Sequence, residues 1–191
     1  MERELYEVMD WAAVEEIVYS ESADPHAILG PHKTDKGILV QAFFPGRDRV
    51  LLQRGKTRIP MELVDESGFF ACLIPGEKES LRYQFILPEA DGSETVAEDP
   101  YRFLPELPEA EIRRFKAGES VAAHSFLGAH EKKMGGVSGI RFAVFAPNAM
   151  RVSVVGDFNN WDGRVHELRR MGDSGIFALF VPGAEAGALY K

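Results

Sequence analysis

The chain has 191 residues, 45% hydrophobic and 27% charged, the composition of ordinary globular protein and enough length for one large domain or two of common size. Its 30 acidic side chains outnumber 22 basic ones for a formal net charge of −8, so phosphate backbones and anionic lipid repel it; nucleic acid and membrane surfaces are excluded as partners, whereas a neutral ligand is not. The single cysteine, Cys72, rules out a disulfide framework and a multi-cysteine zinc site, and the charged opening MERELYEVMDW, with no long apolar run after it, points to a cytoplasmic setting.

In chain order, Asp10 is placed to cap a helix over Trp11 to Tyr19, with Trp11, Val14 and Val18 on one face and Glu15 and Glu16 outward. Asp24-Pro25, closed by Gly30, reads as a single capped turn. Runs rich in β-branched and aromatic residues then predict strands over Ile38 to Phe44, Arg49 to Gln53, Phe69 to Ile74 and Leu81 to Leu87. The stretch DPYRFLPELPEAEIRRFK, Asp99 to Lys116, holds three prolines and fits a connector; Ser120 to Leu127, stopped by Gly128, repeats the short capped turn. GGVSG at Gly135 to Gly139 reads as a flexible lead into the next strand, since it lacks the strand-then-helix context of a phosphate loop. Further strands are expected over Gly139 to Ala146, Arg151 to Val155, Gly175 to Val181 and from Ala188 onward.

The same signals come round twice. HAILGPH at His26 returns as HSFLGAH at His124; Pro45 and Arg49 return as Pro147 and Arg151; SGFFACLIPG at Ser67 returns as SGIFALFVPG at Ser174. Two copies of one module follow, and short strands at this spacing make each an antiparallel sandwich of immunoglobulin-like size. The expectation is therefore an all-β chain: a first sandwich with its leading helix over residues 1–105, a connector with a short helix over 106–134, and a second sandwich over 135–191. In copy two the last strand opens at Leu189 and the sequence stops at Lys191, so the chain is expected to be a piece of a longer protein. Its second module is expected to be less ordered, or completed by pairing with another chain.

Candidate chemistry is sparse. His26 and His32 share no helix face and have no Cys or carboxylate at zinc-ligand spacing, so capped turns with backbone-bonded histidines are favoured over metal. No carboxylate pair is singled out for acid–base work and no strained G-x-S-x-G elbow is present. GDFNNWDG, Gly156 to Gly163, fails as a calcium loop because Trp161 and Leu168 stand where ligands are required. Nothing calls for a cofactor. Turn chemistry explains Gly, Asp and Asn in that octet, but not Trp161. An indole beside two amides suits a pyranose: the C–H face of the sugar lies on the ring, and Asn159 and Asn160 each offer a donor and an acceptor to its hydroxyls. One stacked ring and two or three hydrogen bonds would be worth roughly 3–5 kcal/mol, near millimolar affinity. The competing reading plugs Trp161 into a neighbouring domain; Phe158 is expected to enter the core in either case.

The stretch GIRFAVFAPNAMRVSVVGDFNNWDG resembles the starch- and glycogen-binding sandwich that precedes the catalytic barrel in α-amylase-superfamily enzymes, carbohydrate-binding module family 48. The preceding copy, with DPHAILGPH, EDPYRF and FLGAH, resembles the extra amino-terminal domain of bacterial glycogen branching enzymes. The resemblance implies a parent 1,4-α-glucan branching enzyme, which cuts an α-1,4 linkage, holds the cut chain on a carboxylate and rejoins it through an α-1,6 bond. The catalytic motifs of that family have no counterpart here, so the implied role is non-catalytic: an α-1,4-glucan positioned for a C-terminal catalytic barrel. What carries over is the sugar-facing turn, Trp161 with Asn159 and Asn160; Phe145 stands where the family often has Trp. Two alternatives remain open at this point, a purely structural sandwich pair that docks on a partner domain, and the front of a debranching enzyme.

Overall fold

The computed structural model describes residues 2–77 and 81–191, and of Glu2 the backbone alone. Contacts divide the chain into two units, Met1–Ser22 with His26–Arg102, and Ala23–Pro25 with Phe103–Lys191. Among the described residues no helix is long and apolar enough to cross a membrane.

The first unit begins with α1 (Glu2–Val8) and α2 (Trp11–Val18). Asp10 caps α2 as its position demands, its Oδ1 accepting from Ala13 N at 3.3 Å. Two antiparallel sheets follow. One joins β1 (Gly30–Lys33), β2 (Gly37–Phe43), β6 (Phe69–Pro75) and β5 (Glu62–Asp65) in the order β1-β2-β6-β5; the other joins β4 (Thr57–Pro60), β3 (Leu51–Arg54), β7 (Gln84–Pro88) and β8 (Glu94–Ala97) in the order β4-β3-β7-β8. Their facing side chains form one core, with Val40 and Phe70 from the first sheet meeting Leu52 and Phe85 from the second. Every residue of β2 is buried, because its far face is covered too; apolar side chains fall on both faces, and the one polar residue, Gln41, donates to the Ile28 carbonyl at 2.7 Å.

Trp11 departs from expectation. Helical spacing put it on the packed face with Val14 and Val18, but the inward residues of α2 are Val14 and Ile17, and Trp11 is exposed.

The second unit holds α3 (Glu109–Lys116), β9 (Gly128–Met134), β10 (Val137–Phe145), β11 (Arg169–Arg170) and β12 (Ile176–Pro182), in the sheet order β11-β12-β10-β9. One core cluster seats Leu107, Phe126, Ala143, Ile176 and Ala178 against Ile112 and Phe115 of α3. Arg141, buried in β10, donates to the carbonyls of Glu106 and Phe126 at 3.0 and 3.1 Å, which pins residues of the expected connector to the sheet. β9 also lies within that expected connector: its sequence GAHEKKM is too polar to read as a strand, as suits an edge. GGVSG is no loose lead. Gly135 and Gly136, with φ of 55° and 89°, form the tight turn of the β9–β10 hairpin, where two consecutive positive φ values are adopted by glycine at no steric cost.

The duplication holds to the register. Gly37 lies opposite Pro75 and Phe43 opposite Phe69; in the second unit Gly139 lies opposite Pro182 and Phe145 opposite Ile176. His32 Nε2 bonds the Leu29 carbonyl at 3.0 Å and His130 Nε2 that of Leu127 at 2.9 Å, so the second histidine of each HxxLGxH locks its own turn. The copies differ at Arg151 to Val155, expected as a strand. Val152 and Val154 bond residues 166–168 on one side, and Val155 exchanges two bonds with Lys191 on the other, through isolated bridges rather than a ladder. Each neighbour contributes three residues, and the run coils into a tight turn directly after Gly156.

Candidate functional site

The octet GDFNNWDG leaves this bridged run at Gly156, whose backbone is extended. Glycine is required there by proximity: a Cβ would stand 2.4 Å from the Leu189 carbonyl oxygen and 2.7 Å from the Phe158 ring. Asp157–Asn159 then make one 3-10 turn, after which Asn160 (φ 52°) and Trp161 (φ 61°) both take the left-handed conformation. Asn tolerates it through local bonding, whereas for Trp it costs about 1–2 kcal/mol. The chain is held in that shape by Trp161 N donating to Gly156 O at 3.1 Å and by the indole Nε1 donating to Asp157 Oδ1 at 3.2 Å.

The three residues expected to meet a sugar part company. Trp161 and Asn160 are exposed, side by side in sequence at the tip of the turn. Asn159 is corrected from a ligand contact to a strut: it is buried, its Oδ1 accepting from Gly156 N at 2.9 Å and its Nδ2 donating to Val154 O at 2.9 Å and to His166 Nδ1 at 3.0 Å. Both N–H donors of this amide are spent, and burial keeps its oxygen from a surface hydroxyl. Phe158, expected in the core, is half-buried at its margin, its ring 5.7 Å from Phe142 and 5.6 Å from His166.

Two residues that sequence reasoning passed over complete the site. Asp157 holds the indole with one oxygen and Leu189 N with the other at 3.1 Å, fixing the ring against the end of the chain. His166 is buried, and loss of solvent pushes its pKa down to about 4, so its imidazole is neutral and Nδ1 can accept from Asn159. The acid four residues before Trp161 was a legible signal for the first; nothing in the local sequence marks His166. Around the tip, Arg164 forks onto Asp162 at 2.7 and 3.0 Å and holds that carboxyl below its usual range. Behind it, Arg151 pairs with the buried Glu167 at 2.7 Å. The charges nearest the indole are thus engaged within the turn, and what the tip offers outward is an aromatic surface and one primary amide. That arrangement can bind by stacking and hydrogen bonding.

Comparison with known proteins finds two family matches on the chain. Residues 10–101 match the family described as alpha-1,4-glucan branching enzyme GlgB, N-terminal domain, and residues 126–191 match carbohydrate-binding module 48, the isoamylase N-terminal domain. Among solved structures, pullulanase type I from Bacillus subtilis str. 168 complexed with maltose aligns with a TM-score of 0.29 and 17% identity over 84% of this chain and 22% of that one. Pullulanase from Anoxybacillus sp. LM18-11 complexed with maltotetraose aligns with a TM-score of 0.29 and 17% identity over 85% and 22%. The chain spans about a fifth of the length of these structures. With both matches falling on the two copies in this order, the chain belongs to the N-terminal region of the glycogen branching enzymes, a branching-enzyme N-terminal domain followed by a carbohydrate-binding module of family 48.

Proposed function

We propose that this chain is a non-catalytic, cytoplasmic glucan-positioning region of a 1,4-α-glucan branching enzyme, holding an α-1,4-glucan for a separate catalytic barrel. In this reading a pyranose ring stacks on Trp161, and Asn160 exchanges hydrogen bonds with the rim hydroxyls. Asn159, Asp157 and His166 act behind them as positioning residues. The observation that supports it most directly is that a tryptophan is kept in a left-handed conformation with 45% of its surface open while its Nε1 is tethered to Asp157. Backbone strain at a bulky residue persists only where surrounding contacts hold it, and such residues cluster at ligand-binding sites. The match of residues 126–191 to a carbohydrate-binding module supports the same ligand class.

Native electrophoresis in gels containing glycogen tests the reading. The wild-type chain is expected to be retarded relative to a gel without polysaccharide, and Trp161→Ala to lose most of that retardation. Equal migration of both proteins in both gels would leave Trp161 as a protein-docking residue and overturn it. The purified chain is also expected to leave the iodine spectrum of amylose unchanged; a shift would show chemistry in residues assigned only to binding.

A further inference from the structure

The two tryptophans of this chain fall one in each unit, and Trp11, like Trp161, keeps 45% of its surface open. Large aromatics are highly buried on average, so a matched pair of open indoles asks for a cause. α2 already has its inward residues in Val14 and Ile17, so Trp11 contributes little to that packing. It instead stacks on Tyr6 of α1, ring centroids 5.7 Å apart and planes inclined by 30°, and Tyr6 is itself 38% exposed. Tyr6 Oη donates to Glu62 Oε1 at 3.2 Å, which fastens the pair to β5. The two rings therefore make one held aromatic surface rather than two loose side chains.

Its surroundings select the ligand. Residues 1–102 carry 20 acidic against 11 basic side chains. Near the rings, Glu62 holds Tyr6, Glu7 of the same helix pairs with Lys36, and Glu15 stands exposed one turn beyond Trp11. Carboxylates repel an anionic ligand and accept from hydroxyls, so an apolar face rimmed by acceptors fits a neutral polyhydroxylated ring.

We propose that the first unit carries its own α-glucan contact, in which a pyranose stacks on the open surface of Trp11, Tyr6 extends the platform, and the carboxylates of Glu62 and Glu15 accept from sugar hydroxyls. The choice of glucan rests on the function proposed above; the site does not. A polysaccharide with many chain ends can occupy both contacts whatever their separation, so each adds to retention on glycogen.

The presence of only two tryptophans makes each its own reporter. Trp161→Phe leaves Trp11 as the sole indole, and Trp11→Phe leaves Trp161. Each variant is titrated with maltoheptaose, with cellohexaose as the β-linked control, while emission is followed. Trp11 emission in Trp161→Phe is expected to change saturably with maltoheptaose at millimolar concentration and not with cellohexaose. In glycogen gels Trp11→Ala is expected to weaken retention about threefold to tenfold, the range for one stacked ring, with an unchanged far-ultraviolet circular dichroism spectrum. A flat titration in Trp161→Phe beside a saturable one in Trp11→Phe would overturn this contact and leave the Trp161 reading standing; flat titrations in both would overturn both. A Trp11 emission shift that follows protein concentration and ignores sugar would assign the platform to self-association and equally overturn the proposal.

Discussion

Asn159 Nδ2 donates to Nδ1 of His166 across 3.0 Å in the interior of the second unit, so the turn that carries Trp161 depends on a neutral imidazole. Burial lowers the pKa of His166 from 6.5 to about 4, and the unfolded chain therefore binds a proton between those values that the folded chain refuses. The contribution of the neutral His166 to stability is fully present above pH 6.5 and is lost as pH falls toward 4, by about 3 kcal/mol in all. Protonation would also set a second N–H against the Asn159 amide. Urea unfolding followed at pH 7.0, 5.5 and 4.5 is expected to show the decline, and His166→Phe to flatten it.

The first unit is expected to respond with the opposite sign. Asp99 is buried, accepting from the Tyr83 hydroxyl and from Tyr101 N at 2.9 Å, and burial raises its pKa from 3.8 to about 6 despite those bonds. Here the folded chain holds a proton that the unfolded chain releases. The contribution is fully present below pH 3.8 and is lost as pH rises through 6, again about 3 kcal/mol. Hydrogen exchange resolved to β2 and β6 against β10 and β12 separates the two profiles. Asp99→Asn is expected to remove the slope in β2 and β6 while leaving that in β10 and β12 intact.

How far the sequence carried these conclusions depends on what each residue does. The buried strands were legible because β2, β6, β10 and β12 must be apolar on at least one face, and the repeat could be read in part because Gly68 and Gly175, both at positive φ, are pressed against Phe44 and Pro45 and against Phe145 and Pro147 respectively. Polar edges such as β9 were not legible, since an edge strand has no hydrophobic pattern to impose. At the site, Trp161 stood out because turn chemistry has no use for it. Asn159 and Asn160 could not be told apart, because one amide faces in and its neighbour out only as a result of the left-handed step between them. His166 was invisible because its role arises from a contact made across the turn with Asn159.

Gly156 provides a test of the close approach behind the turn. An alanine Cβ would lie 2.4 Å from the Leu189 carbonyl oxygen, and the relief available is to move the backbone that bonds Asp157 N at 3.1 Å and Val155 O at 2.8 Å. Gly156→Ala is expected to destabilise the second unit by about 2–3 kcal/mol. Gly163→Ala serves as the comparison, because its Cβ would meet nothing closer than Val155 Cγ1 at 3.6 Å. Thermal unfolding should separate the two by several degrees, with Gly163→Ala near wild type; equal losses would mean that the octet fails through glycine content rather than through contact with Leu189.

The two asparagines of the octet are expected to separate stability from binding. Asn159→Ala strips partners from the buried Gly156 N, Val154 O and His166 Nδ1, which should lower stability by about 2–4 kcal/mol and disturb Trp161 only through the turn. Asn160→Gly keeps the left-handed conformation at φ 52° without strain, so its stability should stay within a few tenths of a kcal/mol of wild type while glucan affinity falls about threefold to tenfold for the lost amide. Asn160→Val forces a β-branched residue into the same conformation and should lose both. Calorimetric unfolding and maltoheptaose titration of the three variants give the pattern. If Asn160→Gly bound as tightly as wild type, the sugar would be held by the indole alone, and the exposed amide would serve only to shape the turn.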